Sequence, residues 1–192
     1  LAQLDYLEGR HDAALARLAR IRDLQDKPAD KLMSGLSMRA MIGAQRTIGD
    51  RTSDAYRQEA GRLIAADIAQ MPYDVVQNEV KEAKAGAELV GEALILGNIR
   101  DVIQPTVDKA GALSSDLAPV VVSAKYRLFA TLPLKAKLVE TYGTYLAAHK
   151  VDKPDIWAAR DVTLPPGKRY APVGVAVWDG GVDTALFGDR VV

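Results

Sequence analysis

Apolar residues recur at helical spacing through the first 150 positions. In LAQLDYLEGRHDAALARLARIRDL, Leu4, Leu7, Ala14, Leu15, Leu18 and Ile21 fall on one helical stripe. Gly9 interrupts the stripe, which predicts a helix end there and a fresh start near His11. A second helix is predicted over 28–48, with Pro28 in its first turn and Ser34, in MSGLS, inside it. A third is predicted over 54–70, with Ser53 as N-cap and Met71-Pro72 as the stop. The pattern then predicts a long helix over 74–96 that Gly97-Asn98 ends, with Glu79, Lys81, Glu82, Lys84 and Glu88 as its solvated face. Pro105 and Gly111 break the segment 98–117 into a kinked helix or two short ones. Residues 120–132 read equally as strand or helix, because PVVVSAKYRLFATL is β-branched yet follows a proline suited to a helix start. Residues 134–149 form an amphipathic helix through Leu134, Leu138, Val139, Tyr142, Tyr145 and Leu146.

After His149 the pattern changes. KVDKPDIWAARDVTLPPGKRYAPV holds four prolines among charges and reads as a linker with one short helical turn over 155–159. VGVAVWD follows, a Val/Ala run suited to a strand buried on both faces. The expected fold is mainly α, a multi-helix bundle or helical-hairpin array of about six to eight helices. A short β segment then begins an incomplete α/β domain. The expected organisation is an all-helical domain over 1–150, a linker over 151–172, and a first strand with its Asp turn over 173–192.

Composition narrows the chemistry. The 192 residues are 48% hydrophobic and 26% charged, as in an ordinary globular chain. Lys plus Arg equals Asp plus Glu at 25 each, and KLVETYGTYLAAHK is only mildly basic, so no phosphate-neutralising surface is expected and no nucleic acid partner. The absence of cysteine removes disulfides, thiol catalysis and Cys-based zinc sites together. No apolar run approaches the ~18–20 residues of a membrane span. The chain opens at Leu1 without Met and is expected to be a piece of a longer polypeptide.

Few side chains have catalytic spacing. His11 and His149 lie far apart near predicted helix ends, where His149 suits a helix C-terminus. Asp179, Asp183 and Asp189 lack the spacing and terminal Glu of an EF-hand loop, so no metal is expected, and no cofactor fingerprint occurs either. That leaves Asp179, which ends the apolar run and precedes Gly180-Gly181. It suits a carboxylate presented at the C-terminal edge of a parallel sheet. It suits equally a strand cap accepting turn N–H bonds.

The stretch PVGVAVWDGGVDTALF resembles the first catalytic motif of the subtilisin-like serine peptidases. Those enzymes carry an apolar strand, then Asp, a hydroxyl residue, Gly, an aliphatic residue and Asp. Here that is Val173–Val177, Trp178, Asp179, Gly180, Gly181, Val182 and Asp183. PDIWAAR around Trp157 is similar to the short helix that often precedes that strand. The resemblance covers about 35 residues. It implies that Asp179 is the triad aspartate, with Gly181 and Asp183 supporting its turn. Gly180 departs from the pattern by lacking the hydroxyl. The histidine and nucleophile motifs, which follow the aspartate in that family, do not occur in these residues. The implied function is an N-terminal portion of a serine endopeptidase acting on peptides or proteins, exported or in a bacterial cell envelope, and inactive by itself. A strand lacking its sheet partners would also invite self-association.

At the other end, Tyr6-x-x-Gly9-x-x-x-Ala13-Ala14-Leu15 resembles the inter-helix corner of a tetratricopeptide repeat, without a second copy at that period. There the glycine allows close approach and the small alanine packs the facing helix. The alternative function is therefore a helical protein-interaction module with no enzymatic activity.

Overall fold

The computed structural model describes residues 1–151, 160, 162–172 and 174. The chain divides into two compact units, Leu1–Val151 and Asp152–Val192. The first unit is helical throughout. Its α-helices are α1 (Ala2–Leu7), α2 (His11–Asp23), α3 (Pro28–Met33), α4 (Leu36–Ile48), α5 (Asp54–Ala69), α6 (Tyr73–Leu89), α7 (Glu92–Asn98), α8 (Gln104–Ala110), α9 (Ala118–Tyr126) and α10 (Lys135–Ala148). None of them is long and apolar enough to cross a membrane.

Several boundaries follow from single residues. Pro28 opens α3, where its missing N–H leaves no bond unmade. The Ser53 hydroxyl accepts the Tyr56 N–H at 3.1 Å and caps α5. Gly9 adopts φ +75° between α1 and α2. A Cβ there would meet nothing within 4 Å, so the tetratricopeptide-like expectation of close approach at this glycine does not hold. Its left-handed backbone is what the turn requires.

Two expected helices are split. The helix expected over 28–48 breaks at Ser34-Gly35, where Gly35 takes φ +67°. The helix expected over 74–96 ends at Leu89, because the buried Val90 is extended (φ −60°, ψ 130°). The Lys135 ammonium takes over the freed carbonyls, donating to Glu88 O at 2.8 Å and Val90 O at 2.7 Å. The ambiguous stretch 120–132 is helical.

Two helices widen into π turns, at Ile99–Ile103 and Arg127–Thr131. Each stands just before a proline, Pro105 and Pro133. Proline offers no N–H to the carbonyl four residues back and crowds it. The wider turn accommodates this: Gln104 N–H reaches Ile99 O and Leu132 N–H reaches Arg127 O.

The core lies where α4, α5, α6 and α10 meet. Ile42, Ile64, Val76, Val80, Leu138 and Tyr142 are buried there, and the stripe predicted for 134–149 points inward as expected. The short helix α1 joins this core through Tyr6. Its hydroxyl lies 3.5 Å from that of Tyr56 and donates to the Met41 sulfur at 3.9 Å, and its ring meets Tyr126 edge-on at 5.3 Å. Burial pushes the Tyr56 and Tyr126 phenols far above the ordinary range.

Asp5, the residue before Tyr6, is also buried, at 3% exposure. Arg10 donates to one carboxylate oxygen from Nε at 3.0 Å and Nη2 at 2.6 Å. Arg17 Nε donates to the other. One carboxylate thus ties α1, the turn and α2 together. The Arg17 hydrogen bond first, and then that of Arg10, holds its carboxyl below the ordinary value of 3.8.

In the second unit, residues 162–172 contain a turn at Pro166-Gly167, with Gly167 at φ +86°. The Tyr170 hydroxyl donates to Pro165 O at 2.9 Å. The expected helical turn over 155–159 and the strand from Val173 to Trp178 fall outside the described residues, apart from Gly174.

A carboxylate whose folded pKa is depressed adds stability above its unfolded pKa and loses it as pH falls through the folded value. Asp5→Asn should therefore lower the melting temperature by several degrees at pH 7. The gap to the native chain should persist down to about pH 4 and close in stronger acid. Thermal melts followed by circular dichroism across pH 2–7 check this; a gap independent of pH would refute it.

Candidate functional site

The residues singled out by the peptidase resemblance, Asp179, Gly181 and Asp183, lie outside the described residues, as does Trp157. The two histidines are placed, and each is occupied locally. The His11 Nε2 sits 2.9 Å from Arg51 Nη2. A guanidinium only donates, so Nε2 accepts and the ring is neutral. Burial first, then the Arg51 and Arg46 charges, pushes its pKa below the usual histidine value. His149 follows α10, with Nδ1 2.8 Å from Tyr145 O. A carbonyl only accepts, so Nδ1 carries the proton. The ring stacks on Tyr73 at 4.6 Å and 9°. The structure does not bring these imidazoles to a serine. Among the described residues no group of three or more His, Asp or Glu side chains is placed to hold a metal.

The feature with the makings of a site is a cleft of about 660 Å³ on the helical unit. Its walls come from the start of α1, from α2, from the α3–α4 junction, from α6, from the last residue of α9, Tyr126, and from the middle of α10 at Tyr142. Sequence separation hides this convergence: Gln3, Ser37, Glu79 and Tyr142 all line it.

Local structure explains the shape. Ser34-Gly35 was expected inside a helix and instead breaks it. A Cβ on Gly35 would sit 2.7 Å from Leu18 Cδ2, and its φ of +67° is left-handed. The break therefore serves two ends: it turns the chain from α3 into α4 and lets Leu18 of α2 lie against the junction. Arg39 Nη1 donates to Ser34 O, capping the carbonyl that the break releases. Ser37 Oγ and the Tyr142 hydroxyl are 3.0 Å apart across α4 and α10. Burial raises the Tyr142 phenol, with the Ser37 bond opposing, so this pair lacks a base able to activate the serine.

The carboxylates set the electrostatics. Glu79 and Glu82 of α6 line the cleft, and among the described residues no Lys, Arg or His side chain does. Glu79 was expected on a solvated face. Its Oε2 is instead buried and without a hydrogen-bond partner. The reason is its neighbours: Val76, Val80 and Ala83 on the same helix carry it to the edge of the core. An unpaired buried acceptor costs about 1–3 kcal/mol, and more when charged. Glu82 and Glu88, farther from that stripe, are exposed.

The cleft offers apolar walls from Leu18, Met33, Leu36 and Met38, hydroxyls from Ser37 and Tyr142, and an acidic side from Glu79 and Glu82. Compared with protein-family models, curated proteins and solved structures, the chain matches none.

Gly35→Ala introduces both backbone strain and a clash with Leu18, and the loss should exceed about 1 kcal/mol. Urea unfolding of the native chain and the variant measures it. Equal midpoints would show that the junction tolerates a side chain.

Proposed function

We propose that this chain belongs to a subtilisin-like serine peptidase, in which residues 173–183 supply the triad aspartate and residues 1–151 form a helical domain ahead of it. The observation that carries this reading is the run Val173–Val177 followed by Asp179, Gly181, Val182 and Asp183 in the order of that family's first motif. Asp179 then holds the catalytic histidine in one tautomer and stabilises the imidazolium formed during acyl transfer. Gly181 and Asp183 shape the turn that presents it. Gly180 supplies no hydroxyl, so it removes a side chain that in that family could support the aspartate turn.

The helical unit is consistent with a non-catalytic role beside such an enzyme. His11 is engaged with Arg51, His149 with a backbone carbonyl, and Ser37 with a phenol. None of these pairings activates a nucleophile. Residues 1–192 alone therefore carry one member of a three-member machine and are inactive.

A second reading, a helical interaction module, draws on the cleft: a concave surface with apolar walls, paired hydroxyls and an unpartnered carboxylate oxygen suits recognition. The two readings are compatible if the helical domain positions a substrate or partner.

Two measurements test the peptidase reading. Purified 1–192 should not react with a fluorophosphonate probe and should not hydrolyse a peptide substrate; labelling or inhibitor-sensitive hydrolysis would contradict it. The gene that encodes this chain should specify a His-Gly motif and then a Gly-x-Ser motif downstream of codon 192. A stop codon or a further helical array at that point would overturn the assignment of Asp179.

A further inference from the structure

We infer that the cleft on the helical unit receives the arginine side chain of a partner polypeptide, with its guanidinium on Glu79. The inference rests on the interaction reading of the helical unit and is independent of the peptidase reading.

Three observations lead to it. First, Glu79 lines the cleft, and its Oε2, turned away from solvent, has no donor among the described residues. A buried carboxylate oxygen calls for a charge-assisted hydrogen bond, and the protein supplies none. Elsewhere the same chain does supply one: buried Asp5 is closed by two guanidinium groups. Second, the charged side chains among the described residues lining the cleft are acidic, Glu79 and Glu82, beside the Leu1 amino terminus. Third, the lining also includes apolar side chains, among them Leu36, Met38 and Ala83.

A cation on a hydrocarbon stem fits that lining. The stem lies along the apolar wall while the head reaches the carboxylate. Guanidinium is favoured over ammonium because it is planar, weakly hydrated, and able to bond a carboxylate through two N–H groups. The Ser37–Tyr142 hydroxyl pair provides further acceptors for the remaining N–H groups. The volume, about 660 Å³, exceeds one side chain and leaves room for flanking backbone. That is the argument for a polypeptide over a free guanidine or amine.

The test uses the whole 192-residue chain, labelled with ¹⁵N, and short Gly/Ser peptides differing only at one central residue: arginine, its neutral isostere citrulline, or lysine. N-acetyl-arginine amide serves as the small-molecule arm. The arginine peptide should shift amide signals of Ser34–Ser37 and Ala83 and bind about tenfold or more tightly than the citrulline peptide. Glu79→Gln should abolish that difference while leaving the melting temperature of the free chain unchanged or higher. Glu82→Gln, at the exposed rim, should weaken binding only slightly. Equal binding of the arginine and citrulline peptides, or an undiminished preference in Glu79→Gln, overturns the role of Glu79. N-acetyl-arginine amide binding as tightly as the peptide overturns the polypeptide as occupant. Absence of any shift at the cleft with every peptide overturns the interaction reading itself, and leaves the peptidase reading standing.

Discussion

Two guanidinium groups closing on one buried carboxylate hold the first two helices of this protein in place. α1 has only six residues, too few to persist by itself. Arg10 from the turn and Arg17 from α2 fix Asp5 from both sides. That fixation sets the neighbouring Tyr6 ring against Tyr56, Met41 and Tyr126. The same clasp places Ala2 and Gln3 of α1, and Leu18 of α2, along the cleft. The cleft is thus a consequence of how α1 and α2 dock, not a gap left by poor packing.

The contrast between Asp5 and Glu79 is informative. Both are carboxylates on helices that bury one face. Asp5 has its cations within the fold, so burial and charge are reconciled locally. Glu79 is brought toward the core by Val76 and Val80, yet its Oε2 meets no donor. A fold that satisfies one buried carboxylate with two arginines has the means to satisfy another. The oxygen left without a donor is the one the proposed partner's guanidinium would satisfy.

Much of the helical architecture is legible in the sequence because its punctuation is local. Pro28, Ser53 and Met71-Pro72 mark boundaries through an absent N–H, a side-chain cap and a blocked turn, and each acts within a few residues. The stripe of α10 is legible for the same reason. What the sequence hides depends on contacts between distant segments. The Gly35 break depends on Leu18, and the end of α6 depends on Val90 burial and on Lys135, 45 residues away. The π turns follow from prolines whose presence is plain but whose effect could equally be a kink or a break. The cleft is illegible in the sequence because it assembles residues from seven helices. Gly9 is the converse case: the sequence marks the turn, and the structure shows that the glycine serves its left-handed backbone and not a close approach. Asp179, by contrast, is a matter of motif alone, and its meaning rests on order and residue type rather than on any packing in the helical unit.

On the proposed arginine docking, the sign of charge at position 79 determines what the cleft binds. Reversing that charge tests it most directly. The Glu79→Lys chain should lose its preference for the arginine peptide and acquire one for the corresponding glutamate peptide, measured by competition between the two in a single titration. An unchanged preference for arginine in the charge-reversed chain would contradict the account.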